Sequence, residues 1–446
     1  MTTKPNIEEL LAKAKIPSAD ALRLHPFYRG KLEVTPKCQI RDCSDFSVWY
    51  TPGVAAPCRD IEAHVDRVFA HTNKGNFVAI VSDGSRVLGL GDIGPHAALP
   101  VMEGKAILFK YLGGVDAFPI CLAANQLEEI IQACKWIEPT FGAINLEDIA
   151  KPKCFTVLDR LRNEMVIPVW HDDQQGTAAV TLAGLINSLK IVGKTRDKVK
   201  IVLIGAGANI AVSRVLIAAG FPPDKMIMVD SLGILHRGRE DLRTAGNETK
   251  WRMCEISNSE RRSGGIAEAL AGADVCIALA KPGPGVIKPE WVRRMANEAI
   301  VFACANPVPE IWPWEATEAG ARIVATGRSD FPNQVNNSLG FPGIFRGVLD
   351  VAASAITDEM CIAAAEELAR CAQDRGLSDQ AILPTMDDWQ VFPREAAAVG
   401  LKAIEQGVAN KKLSREQLIE QATAIIQRAR AQTKTLMEHG LIAAAP

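Results

Sequence analysis

At 446 residues the chain is too long for one ordinary core, so it is expected to divide into two or three domains, each burying a substantial apolar interior. Its formal net charge of −2, with 48% hydrophobic and 23% charged residues, lacks the basic excess that nucleic acid or an anionic membrane selects, leaving a small molecule as the expected partner. Eleven cysteines without a CxxC pair, an opening MTTKPNIEELLAKAK without an apolar core, and an apolar stretch 201–219 broken by Asn209 and Arg214 point to a cytoplasmic protein with reduced thiols, neither secreted nor membrane-spanning.

In chain order, the first 25 residues read as a short helix and connector. The stretch KLEVTPKCQI (31–40) alternates like a strand and runs into a turn-rich YTPGVAAP (50–57). From Asn76 the pattern becomes strand (FVAIVSD), glycine-rich turn, helix (VMEGKAILFKYLG), strand (AFPICLA), helix (QLEEIIQACKWIEP) and strand (GAINLED). A second α/β series follows IPVWHDD (167–173), with a long helix near 176–191, the strand KVKIVLIG (198–205) and a further helix. Strand-like VCIALA, AIVFACAN and ARIVATG continue it, and from about residue 348 the chain reads as helices. The expected fold is α/β: an N-terminal α/β catalytic domain over residues 1–166, then a Rossmann-like, doubly wound dinucleotide-binding domain over 167–446 that includes the C-terminal helices. The site is expected between them.

Two local patterns carry chemistry. After the apolar strand 198–204, Gly205-Ala206-Gly207-Ala208-Asn209 opens a helix, the strand–turn–helix setting of a phosphate-binding turn. Gly205 permits the turn, Gly207 lets backbone approach a pyrophosphate, and the helix N-terminus offers N–H groups to the anion. The third glycine of the fingerprint is replaced by Ile210, so small Ala208 or Ala211 must serve the close packing. Asp230, ending the next strand, is placed to accept from a ribose hydroxyl.

The second pattern is two acidic pairs at strand ends, Glu147-Asp148 and Asp172-Asp173. Three such carboxylates around one Mg²⁺ or Mn²⁺ would leave positions open for water and substrate, although helix capping by Asp173 or simple solvation explains the same residues.

With these pieces in place the sequence resembles the malic enzyme family in its short bacterial form, from about Leu32 to Ala409. The motifs are YTPGVA (50–55), DGSRVLGLGDIG (83–94), LPVMEGKAILFK (99–110), NLEDI (145–149), HDDQQGTAAV (171–180), ANPVPE (305–310) and NNSLGFPGIFRG (336–347). The resemblance implies Tyr50 as general acid, Lys105 as general base and Asp172 as an acid beside it. It further implies Glu147, Asp148 and Asp173 as metal ligands, Arg86 as a carboxylate-binding residue, and Asn306 and Asn337 at substrate or nicotinamide. A homodimer is expected on the same ground. Each residue also has a plain structural role open to it: Tyr50 as a buried phenol, Lys105 as a solvated helix lysine, Asn337 as an Asx-turn former, Arg86 in a surface ion pair. The shifted glycine pattern and the segment KPGPGVI (281–287) depart from many relatives, and the chain's end at 446 leaves no room for an acyltransferase-like tail.

The residue types suit oxidation of L-malate to pyruvate and CO₂ with reduction of NAD or NADP. Lysine takes the hydroxyl proton only when neutral, which requires a lowered pKa, the metal polarises the ketone, and a phenol protonates the enolate carbon. Asp230 favours NAD slightly, whereas Arg237 and Arg239 suit a 2′-phosphate. Direct decarboxylation of oxaloacetate on the same scaffold is the alternative, and a non-catalytic organic-acid or nucleotide sensor stands behind both.

Overall fold

The computed structural model describes residues 7–446 apart from Leu88, with side chains described from residue 16 onward. The chain opens with α1 (Ile7–Tyr28), then α2 (Phe46–Trp49), α3 (Ala55–Ala63) and α4 (Val68–His71). The first α/β layer follows as β1 (Phe77–Ser82), α5 (Gly94–Gly113), β2 (Asp116–Cys121), α6 (Leu127–Ile137), β3 (Ala143–Leu146), α7 (Lys153–Glu164) and β4 (Val169–His171). A long buried helix, α8 (Thr177–Ile191), leads to the second layer: β5 (Ile201–Ile204), α9 (Ala208–Ala218), β6 (Met226–Asp230) and β7 (Gly233–Ile234). That layer continues through α10 (Glu248–Ile256), α11 (Ile266–Leu270), β8 (Val275–Ala278), α12 (Pro289–Val292), β9 (Ala299–Ala303), α13 (Pro313–Glu318) and β10 (Ala321–Thr326). The C-terminal helices are α14 (Phe341–Asp350), α15 (Asp358–Arg375), α16 (Val391–Glu405) and α17 (Arg415–Glu438).

The first sheet is parallel with strand order β2-β1-β3-β4. Its strands are apolar on both sides because both faces are covered. Val78 and Ile80 of β1 face the cluster built with α5 and α14, whereas Ala79 and Val81 face the one built with α6 and α7. The chain leaves this sheet at His171, the end of β4, which pairs with β3.

The second sheet runs β10-β9-β8-β5-β6-β7, parallel except for β7. Its first strand, β5, lies between β6 and β8, so successive crossovers leave on opposite sides. That reversal is the topological switch point at which open α/β sheets bind ligands.

Two stretches differ from the sequence reading. Residues 31–40 form no strand: they join no sheet ladder, Pro36 lacks a ladder N–H, and they stay largely exposed, with Lys31 reaching the carbonyl of Pro100 at 2.6 Å. The helix α7, absent from that reading, buries Cys154, Val157, Leu158 and Leu161 in one stripe. Short and bounded by prolines, it is easily taken for a loop.

The helix α8 joins the layers. Nearly every side chain on it is buried, with Ala179 in the core around the first sheet and Ala178 and Leu182 in that of the second. The C-terminal helices fold back: α14 and α17 pack on α5, where Phe109 meets Phe341 at 4.6 Å and Phe345 at 5.0 Å between ring centroids. The helix carrying Lys105 is thereby clamped from behind.

Candidate active site

Both acidic pairs emerge from the carboxyl ends of parallel strands, where backbone must change direction. Glu147 and Asp148 follow β3, and Asp148 adopts a left-handed backbone with φ of 53°. Non-glycine residues rarely adopt this conformation, and it is held here because Arg86 N–H donates to the Asp148 carbonyl at 3.0 Å and Asp148 N–H donates to Asp173 Oδ2 at 3.0 Å. Asp172 and Asp173 open a π-helical turn, Asp172–Gly176, at the start of α8. Such wide turns often occur at functional sites. This one turns Asp172 inward and ties His171 N–H to Gln175 Oε1 at 3.1 Å.

Lys105, on the buried face of α5, meets these acids. Its Nζ lies 2.5 Å from Asp172 Oδ2 and 3.0 Å from Glu147 Oε1, and 4.4 Å over the ring of Phe341. Asn337 Nδ2 donates to the same Asp172 oxygen at 2.5 Å, Trp170 Nε1 donates to Oδ1 at 3.3 Å, and Asn145 Nδ2 donates to Glu147 Oε2 at 2.8 Å. The ring of His171 lies buried beside them with neither nitrogen hydrogen-bonded among the described residues.

Three carboxylates act on the Lys105 ammonium: Asp172, Glu147 and Asp173. Burial alone would lower Lys105, but Asp172, Glu147 and Asp173 outweigh it and hold the ammonium above its ordinary range. Burial, joined by repulsion from Asp173, Asp172 and Asp148, pushes the Glu147 carboxyl well above the carboxylate range despite Lys105. The lowered lysine expected from sequence is therefore not produced by the protein's own groups. Closely set carboxylate oxygens are hard donors of the kind that suits Mg²⁺ or Mn²⁺. Among the described residues no three ligating side chains close into a finished metal cage; Glu147 is instead turned to Lys105 and Asn145.

The nucleotide turn lies across the crevice. Gly205 has φ of 94°, and a Cβ there would stand 2.6 Å from the Leu279 carbonyl, so this turn at the switch point between β5 and β8 requires glycine. At Gly207 a Cβ would overlap Nζ of Lys151. Lys151 thus reaches over the phosphate-binding turn, a placement hidden from sequence reasoning because only the crossing of the two layers creates it. The Asn209 amide is buried and donates to the carbonyls of Ile204 at 2.9 Å and Ile277 at 3.2 Å, so its side chain braces the switch point and leaves its backbone to the turn.

Asp230 ends β6 as read, but it is engaged. Arg239 donates to both its oxygens, at 3.1 and 3.2 Å, and Lys250 to one at 3.4 Å. Burial would raise this carboxyl, yet Arg239, the Leu232 N–H and Lys250 hold it below the usual range. Arg237 points away, to the Glu255 carbonyl.

The structure thus brings Lys105, Asp172, Glu147 and Asn337 into one hydrogen-bonded group, with Asp148 and Asp173 joined beside it. Asn306 is exposed at the end of β9, its amide lying over Gly327, and the exposed Arg86 lies on the loop after β1. Tyr50 is not brought into that group: it is 68% exposed.

A two-layer α/β enzyme scaffold with a doubly wound dinucleotide domain and an acid-rich lysine site in its crevice defines the class. Residues 29–129 and 123–162 match the family model described as the malic enzyme N-terminal domain, and residues 174–404 match the malic enzyme NAD-binding domain. The bifunctional malic/malolactic enzyme of Bacillus subtilis is 48% identical over 402 residues, 90% of this chain and 96% of that protein. The NAD-dependent malic enzyme of Geobacillus stearothermophilus is 49% identical over 86% of this chain and 78% of its own. The crystal structure of Entamoeba histolytica malic enzyme superposes with a TM-score of 0.96 at 47% identity, over 100% of this chain and 93% of that one. The chain belongs to the malic enzyme family.

Proposed function

We propose that this protein oxidises L-malate and releases pyruvate and CO₂, passing hydride to NAD or NADP in the presence of a divalent cation. The observation that carries this reading is the Lys105–Asp172–Glu147–Asn337 cluster, set at strand ends in the crevice that also holds the nucleotide turn. A lysine buried among acids is of no use on a solvated surface, but it is suited to taking and returning a proton beside a bound hydroxy acid.

Lys105 accepts the hydroxyl proton, with Asp172 and Asn337 orienting its ammonium. Glu147, Asp148 and Asp173 would hold Mg²⁺ or Mn²⁺. A cation held there would supply Lewis-acid stabilisation of the enolate and would weaken the hold of these acids on the Lys105 proton. Arg86 and Asn306 engage substrate carboxylate and nicotinamide, and Tyr50 returns a proton to the enolate carbon. Gly205, Ala206, Gly207, Ala208 and the backbone at Asn209 receive the pyrophosphate, aided by Lys151. The ribose falls to Asp230 with NAD slightly preferred; relatives carry either NAD or NADP in their names. The division at 166/167, a homodimer and a cytoplasmic setting complete the reading. Among the described residues no helix is long and apolar enough to cross a membrane.

Family membership favours catalysis over a sensing role. The test is to combine protein, Mn²⁺ and L-malate with NAD or NADP, follow nicotinamide reduction, and assay pyruvate. Oxaloacetate decarboxylation without any malate-dependent reduction would move the assignment to the direct decarboxylase.

A further inference from the structure

Glu310 closes the ANPVPE segment after β9 as a fully buried carboxylate, and among the described residues no cation pairs with it. Its two oxygens divide between two loops. Oε1 accepts the Ala280 N–H at 2.8 Å, from the loop after β8, and Oε2 accepts the Ala305 N–H at 3.0 Å, from the loop after β9. The backbone repeats the link: the Glu310 carbonyl accepts the Ile287 N–H at 3.1 Å, and the Val308 carbonyl accepts the Gly283 N–H at 3.2 Å. One side chain thus ties the segment 280–287 to the segment that carries Asn306.

Both loops leave the carboxyl ends of adjacent parallel strands, the edge at which a doubly wound sheet binds its ligand. Ala280 lies against the glycine turn, since a Cβ on Gly205 would stand 3.1 Å from its Cα. Ala305 directly precedes Asn306, whose carbonyl would lie 3.8 Å from a Cβ on Gly89, on the loop after β1 of the other layer. Glu310 therefore joins backbone at the phosphate end of the crevice to backbone beside Asn306. Holding both N–H groups requires the charged form. A carboxylate accepts on each oxygen, whereas a protonated carboxyl or a glutamine turns one of the two positions into a donor facing another donor. Burial pushes this carboxyl up to about 7, although the two N–H groups favour the anion. The titratable groups facing it are Cys276 of β8 and Cys304 after β9, whose thiols burial and Glu310 hold above their ordinary range, so neither supplies a charge as Glu310 titrates. Arg328, after β10, is committed to the Pro307 carbonyl and Asp330, and Glu315 of α13 to the Trp312 N–H.

We propose that Glu310 is a positioning residue for the nicotinamide cofactor: by accepting one N–H from each loop, it holds the Ala280 and Ala305 backbones at the spacing in which the glycine turn and Asn306 receive one dinucleotide together. The proposal rests on the reading of this crevice as the dinucleotide site. Its test is a fluorescence titration of NADH onto the full chain, without metal or malate, from about pH 5.5 to about pH 8.5, for the wild type and Glu310→Gln. A carboxyl raised to about 7 is ionised above that pH and protonated below it, so the wild-type Kd is expected to rise by about tenfold as pH falls through this range. Glu310→Gln is expected to bind roughly tenfold more weakly than wild type at the alkaline end and to show no such rise, so that the two proteins converge at the acid end. A side chain serving the fold alone would lower the melting temperature without removing the pH step. Parallel pH profiles, or wild-type affinity in Glu310→Gln at the alkaline end, overturn the proposal. A wild type that binds no NADH at any pH overturns the dinucleotide reading together with it, a failure visible before any variant is made. Melting temperatures verify folding. If Glu310→Gln does not fold, Glu310→Asp replaces it, keeping a titrating carboxyl on a shorter arm, and is expected to bind more weakly while retaining the pH step; a flat wild-type profile overturns the proposal whichever variant is used.

Discussion

The four carboxylates around Lys105 differ in what they can give up. Asp173 is the least enclosed of the four; its Oδ2 accepts the Asp148 N–H, which an asparagine oxygen can also accept, and lies 3.8 Å from His171 Nδ1. Asp173→Asn is therefore expected to weaken Mn²⁺ binding by at least about tenfold while leaving the metal-free melting temperature nearly unchanged, since only charge is removed. Calorimetric titration with Mn²⁺ beside a thermal melt checks this, and unaltered affinity would remove Asp173 from the ligand set. Asp230 raises a different question. Its charge, which would repel a 2′-phosphate, is already matched by Arg239 and Lys250. Asp230→Ala releases both cations, so the ratio of kcat/KM for NADP to that for NAD is expected to rise by about tenfold or more, in line with one charge-assisted pair. An unchanged ratio would show that this corner of the site does not read the 2′ position.

At the scale of elements, two turns meet across the crevice. The turn after β5 needs glycine at 205 for its backbone and at 207 for a neighbour: Lys151, from the loop before α7, occupies the space where a Cβ would stand. Gly207→Ala is expected to push the flexible lysine aside at little cost to folding, shifting the melting temperature by less than about 2 °C, while NADH affinity falls by roughly tenfold because a cation and a close backbone approach are lost together. Fluorescence titration of NADH measures the second quantity. Unfolding of the variant with undiminished affinity in the folded fraction would contradict the assignment. The opposite turn, Asp172–Gly176, departs from α-helical geometry and so delivers Asp172 to Lys105 and Asn337 at one stroke.

For the molecule as a whole, the C-terminal helices decide how firmly Lys105 is held. Glu395 of α16 is fully buried, presses against Gly343 of α14, and has neither oxygen hydrogen-bonded among the described residues. Burial, with the nearby Glu367, pushes its carboxyl well above the ordinary range and favours its protonated form in the fold. A group raised in the folded state adds stability below its unfolded pKa and loses that contribution as pH rises through its folded value. The melting temperature of the wild type is therefore expected to decline more steeply toward alkaline pH than that of Glu395→Gln, which has no proton to lose. Parallel pH profiles would mean the carboxyl finds a partner when ionised.

The sequence by itself determined the parts whose signals are local. These are the alternating strands, the glycine turn after β5, the acids at strand ends and the motif order that identifies the family, because propensity, periodicity and spacing act over a few residues. Only the tertiary structure decided which of those residues meet. Lys105 joins Asp172 across sixty-seven positions and Asn337 joins it across 165, contacts that arise from the packing of α5, α8 and α14 and leave no mark on either segment alone. The same packing buried the amide of Asn209, placed Lys151 over Gly207 and occupied Asp230 with Arg239. It also left Tyr50 exposed, outside the group around Lys105.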